Sequence, residues 1–280
     1  MAPTSMIARC SRLASLMLGA SLSLASPGAV AQGAPTYADT VELAKRAGLV
    51  LRAQIVRMTR VNTANAAGAA SPYQRYLVEA KTQALLYGTQ GIGGSLRYIA
   101  DVPTMQGAPG SVVAGQDVLL FAWRVDGKPT ELRLVTPTAQ QPWTPEAESR
   151  VRSVLTGLVA RDTPSPTTSV RELLYVPGNL AGQGRTQMLL GTKDNGTASV
   201  TVRHEPGKAP VWSVSFSEVV GKASRPPAPD TLEWYSLACF LPRTLPSQTR
   251  VPGSDANRDQ AILDYYMVLN ALGDCPHNVT

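Results

Sequence analysis

Apolar residues recur along this chain with two different periods, and the changes of period divide it into blocks. Between residues 36 and 87 the spacing predicts a helical part. Thr36 or Asp39 caps a first helix running to about Arg60, with Leu43, Ala47, Val50, Leu51 and Ile55 on one stripe. An Ala/Gly-rich linker, Ala64 to Ala70, leads to a second helix from about Pro72 to Tyr87. Tyr73, Tyr76, Leu77, Ala80 and Ala84 share its apolar face, and Gly88 ends it.

From residue 95 to residue 220 the period is mostly two. Leu96, Tyr98, Ala100 and Val102 alternate with polar neighbours, and a Gly/Pro-rich loop, Pro103 to Gly115, follows. Asp117 to Val125 is apolar on both faces, which predicts a central strand covered on both sides, with Trp123 in the core. Asp126-Gly127 signals a tight hairpin into a strand from Thr130 to Val135. Thr144 then caps a helix that begins at Pro145 and carries Val151, Val154, Leu155, Leu158 and Val159 at i, i+3, i+4, i+7 and i+8. That face is expected to cover the sheet, with Arg150 and Arg152 turned to water.

A meander of about four strands follows, from Val170 to Val220. Taking Asn195-Gly196 as a two-residue turn places Leu189 opposite Val202 and Gly191 opposite Val200, with Met188, Thr201 and Arg203 on the other face. Trp212, Val214 and Phe216 share one side of the last strand. The end of the chain, 230–275, predicts two helices. Asp230 caps the first, with Glu233 as its capping-box partner, and the second starts at Asp255, carries Ile262, Tyr265, Leu269 and Leu272, and stops at Gly273. The class is therefore α+β: a mostly antiparallel sheet of about seven strands in two meanders, packed by a central amphipathic helix and flanked by N- and C-terminal helix pairs.

The first 31 residues fit none of these blocks. Arg9 and Arg12 precede an apolar run, Leu13 to Ala25, too short to span a bilayer. Pro27 and Gly28 break it, and Ala29-Val30-Ala31 supplies small residues before Gln32. This is the pattern of a cleavable secretory signal of the general route, cut after Ala31. Cys10 precedes the apolar run, so it is no lipoprotein acylation site, and there is no twin-Arg pair. Residues 32–280 then form one exported domain, periplasmic or secreted, with no membrane span after cleavage. Loss of Arg9 and Arg12 lowers the net charge from +6 to +4, and no Lys/Arg run exceeds two, which argues against a nucleic-acid partner. It also leaves an even pair of cysteines, Cys239 and Cys275, expected to form one disulfide pinning the last two helices together.

Catalytic motifs are scarce. Gly178 to Thr186 lacks the Lys and the helix of a phosphate loop, and the glycines of Gly88 to Gly94 precede a strand instead of opening a helix. Only His204 and His277 are present, so ligands for a zinc protease are missing and no metal or cofactor is expected. His277 falls in a tail expected to fray. A Ser-His-Asp hydrolase would have to use His204, and no G-x-S-x-G elbow accompanies it. Asp101, Asp117, Asp126 and Glu131 lie near strand ends and are the material for a carboxylate pair. Trp143, just before the helix cap, is either a staple onto that helix or an exposed ligand platform. With His204 it completes the candidate ligand contacts. The sequence thus points to a non-enzymatic exported protein binding an envelope protein or a small ligand. The alternative is an envelope hydrolase using His204 or a carboxylate pair.

Overall fold

The computed structural model describes residues 34–61, 72–89, 91–104, 111–216 and 225–279. Ala29, Ala31 and Gln32, the linker Ala64–Ala70 and the middle of the loop Pro103–Gly115 lie outside the described residues. The order of elements is helix α1 (Tyr37–Arg46), strands β1 (Leu49–Arg60), β2 (Tyr73–Tyr87), β3 (Ser95–Pro103), β4 (Asp117–Val125), β5 (Lys128–Leu134) and β6 (Gln140–Pro142), then helix α2 (Pro145–Val159). Strands β7 (Thr167–Pro177), β8 (Gly184–Thr192), β9 (Thr197–His204) and β10 (Val211–Ser215) follow, then helices α3 (Leu232–Ala238) and α4 (Asp255–Leu272).

The N-terminal helix pair is not formed. Only α1 is helical, closed by a capping box between Thr36 and Asp39, and the chain turns into β1 after Gly48. The stripe read across Leu43 to Ile55 mixes two structures. Leu49, Leu51, Ala53 and Ile55 point into a barrel, while Val50 is buried beneath the helices on the outside, so both faces look apolar. The second expected helix is β2, whose Val78 and Ala80 face inward. Three register irregularities in its pairing with β1, between Val50/Leu51, Arg52/Ala53 and Ile55/Arg57, interrupt the alternation a strand would show in sequence.

Sheet A does not lie open as a meander. Its strands run β1-β2-β3-β5-β4, and β4 returns to pair with β1, closing a five-stranded barrel with β6 added beside β4. Every pairing is antiparallel except β3 with β5, which is parallel. Helix α2 begins as expected, with Thr144 accepting a hydrogen bond from the N–H of Ala147. It packs on α1 and on the outer face of β4, so it covers the barrel and not the second sheet; Val159, beyond that contact, is exposed.

Sheet B is the expected four-stranded antiparallel meander, β10-β9-β8-β7. Its cover is α4. The β8–β9 turn is longer than the two-residue form. Asn195 takes a left-handed conformation (φ 62°), and Thr192 N–H donates to Gly196 C=O, leaving three residues between them. The register is therefore Leu189 opposite Ser199 and Gly191 opposite Thr197. An offset of three residues, being odd, exchanges the faces. Met188 and Leu190, with Val200 and Val202, form the core side.

Helix α3 is capped by Thr231, one residue later than expected, and Asp230 takes a positive φ of 57°. Cys239, at the end of α3, is bonded to Cys275, just beyond α4 (S–S 2.00 Å). Trp234 Nε1 donates to Leu272 C=O at 2.9 Å, joining the same two helices. The final segment does not fray at His277. Its Nδ1 lies 3.5 Å from Asp39 of α1, and Asn278 donates its backbone N–H to Asp39 and its side-chain amide to Ala34 C=O. No helix among the described residues is long and apolar enough to cross a membrane.

Candidate functional site

The parallel seam of the barrel is its least paired line. One residue pair, Arg97 with Glu131, bridges β3 and β5, and Asp101 N–H donates to Pro137 C=O further along at 2.8 Å. Where the two strands part, a groove of about 610 Å³ opens across β2, β3 and β5. Its interior wall includes Tyr98, fixed by a 2.6 Å hydrogen bond from its phenol to Gln140, and Leu132. Burial pushes the Tyr98 phenol pKa up, so it stays a neutral donor.

The outer wall combines aliphatic and cationic groups. Leu77 and Ile99 are cross-strand partners, and Ile99 is 50% exposed. Arg75 forks onto Asp101 through two hydrogen bonds of 2.7 and 2.8 Å. Arg133 enters no ion pair among the described residues. Its cross-strand partner on β4 is Trp123, which is 46% exposed and thus outside the core where the sequence placed it. The reason is close packing over glycine: a Cβ on Gly48 would lie 2.4 Å from the Trp123 ring. The indole therefore lies over backbone on the outer surface, beside Arg133.

Trp143 is held by its own chain. The Arg52 guanidinium stacks over its ring at 3.7 Å, and its Nε1 donates to Glu148 at 2.6 Å. Glu148 also receives Arg152 at 2.7 Å, and these donors, the indole first, hold its carboxyl below the usual range. Trp143 and Glu148 occupy the positions of a hydrophobic staple, but the contact is a hydrogen bond. Arg52 continues to Asp117 with a 2.8 Å bond from Nε. Of the acids considered for a dyad, Asp101, Asp117 and Glu131 are each paired with a cation, and Asp126 sits in the β4–β5 turn.

His204 belongs to an interior network. Its Nε2 is 2.9 Å from Asp264 Oδ2 on α4. Thr186 of β8 donates to the same oxygen, and Gln260 donates to Oδ1 at 3.0 Å. Asp264 is 2% exposed, and the ring of Tyr175 meets His204 edge-on. The network ties α4 to sheet B, and neither residue lines the barrel groove. Asp264 was missed in sequence, although a carboxylate between Ala261, Tyr265 and Val268 on one helical face is a visible interruption of an apolar stripe. His277 gathers with Cys239 and Cys275 within 4.8 Å, but both sulfurs are in the disulfide, and a metal needs thiolates. Compared with known proteins, the sequence matches no family model and no curated protein.

Proposed function

We propose that this chain is exported by the general secretory route, cut after Ala31, and acts without catalysis by binding an extended anionic ligand of the cell envelope in the barrel groove. The observation that carries the reading is the outer wall of the groove: half-buried Leu77 and exposed Ile99 beside Arg133, a guanidinium that pairs with no carboxylate among the described residues, with Trp123 laid open next to it. Aliphatic contact, a planar cation and an aromatic face together suit an anionic chain with apolar surfaces, such as an acidic oligosaccharide. Five-stranded OB barrels bind oligonucleotides and oligosaccharides on the face of strands 2 and 3, and the likeness of architecture supports the same face here by analogy alone. The hydrolase alternative would rest on His204, half-buried with its Nε2 engaged with Asp264, or on a carboxylate pair, whose candidates Asp101, Asp117 and Glu131 are each paired with a cation.

Two tests follow. Fractionation of cells carrying a C-terminally tagged chain is expected to place it outside the cytoplasm, with a mature N-terminus near Gln32 by mass spectrometry. Cytoplasmic recovery of the intact chain would overturn export. For binding, surface plasmon resonance against a panel of acidic envelope polysaccharides is expected to find a ligand whose affinity falls about tenfold in Arg133→Ala, roughly 1.4 kcal/mol, and falls with added salt. Thermal stability should be unchanged, since the side chain is exposed. Equal affinity in wild type and Arg133→Glu would remove the groove from consideration.

A further inference from the structure

The helix pair does not lie flush on the barrel. Between α1, α2 and the outer face of β4 is a cavity of about 280 Å³, separate from the groove. Leu43 of α1, Leu119 and Phe121 of β4, and Ala147 and Val151 of α2 supply its apolar surface. The polar groups around it are largely engaged elsewhere. The Thr40 hydroxyl donates to Thr36 C=O at 2.9 Å, and the Gln141 amide donates to Thr138 C=O at 3.1 Å.

Arg150 is the exception. The sequence turned it to water, yet it is half-buried at the cavity wall. Its Nη1 donates to Pro35 C=O at 3.0 Å. A guanidinium carries five N–H donors, and among the described residues this bond engages one of them. Among the described residues no carboxylate pairs with it, although Glu146, one turn earlier on α2, also borders the cavity. A half-buried cation that no carboxylate pairs with among the described residues, beside a partly open, largely apolar space, is complementary to a molecule with an apolar body and one anionic end.

We propose that this cavity binds a small apolar carboxylate, with the hydrocarbon between the helices and β4 and the carboxylate on the Arg150 fork. A cavity of roughly 150 Å³ holds one benzene, so this one takes about ten non-hydrogen atoms, the size of octanoate. The site is independent of the groove ligand and of export.

Isothermal titration of the purified protein with octanoate and with octanol tests the assignment. Octanoate is expected to bind with a dissociation constant on the order of 0.1 mM, as its atom count allows. Arg150→Met should weaken octanoate about tenfold and leave octanol unchanged. Arg150→Lys should keep part of the octanoate affinity, and Ala147→Leu, which fills the cavity, should abolish both. Circular dichroism melts establish that each variant is folded. No heat from octanoate up to about 5 mM would overturn the site. Octanoate binding as tightly to folded Arg150→Met as to wild type would overturn the role of the guanidinium and the carboxylate class with it.

Discussion

Replacing Asp264 with alanine is expected to destabilise the protein by about 3 kcal/mol. The substitution removes the acceptor of Thr186, the partner of His204 Nε2 and the acceptor of Gln260 at one stroke. Thr186 is fully buried and water does not reach it, so its hydroxyl is left without a partner. Each such orphaned group costs about 1–3 kcal/mol. For a chain of this size the loss corresponds to a melting point lower by roughly 6–12 °C. Asp264→Asn keeps an oxygen and the side-chain volume, and should lose about 1 kcal/mol. Gln260→Ala, at the partly exposed side of the network, should lose less still. Thermal melts of the three variants rank them. A loss under 1 kcal/mol for the alanine variant would show that the network does not join α4 to sheet B.

Removing the disulfide should have a comparable effect through a different state. Cys239 and Cys275 are 36 residues apart, and closing a loop of that length restricts the unfolded chain by about 3–4 kcal/mol. The double variant Cys239→Ser/Cys275→Ser avoids a stray thiol and should melt correspondingly lower. Its native fold should persist, because Trp234 still bonds Leu272 and Tyr265 still donates to Pro242 C=O. The local effect is expected beyond Gly273, where release of Cys275 frees His277 and Asn278 from Asp39. Hydrogen exchange at the start of α1 should then accelerate. Equal melting points for the variant and the oxidised wild type would refute the assignment of stability to the crosslink.

The parts of the fold legible in sequence are those where one face meets water and turn chemistry is local. α2 shows this best: Thr144 and Pro145 fix its start, and one buried stripe follows. β3, the β4–β5 hairpin and the end of α4 at Gly273 are of the same kind. β1 and β2 were misread because closing a barrel bends them. Register irregularities shift the inward face along the strand, and Val50 is covered from outside while Leu49 and Leu51 are covered from inside. Neither fact leaves a period of two. Lys, Glu, Gln and Ala in β2 then read as helix formers, although the pairings on both its edges decide the outcome.

The sites were less legible still. Groove and cavity each draw on four elements separated in sequence, and Arg133, Arg150 and Trp123 have unremarkable neighbours along the chain. His204 stood out as one of only two histidines, but its partner lies 60 residues away on another element. Trp143 was placed correctly before a helix, while its stacking partner Arg52 came from a segment read as helix.

The single bridge between β3 and β5 has a mechanical meaning. A ring of strands opens where its staves are least joined, and here that line coincides with the floor of the groove. A ligand lying across it touches both staves at once. It would serve as a clasp, so that occupancy of the outer surface stiffens the interior, and the amides flanking the seam would report binding even where no ligand atom reaches them.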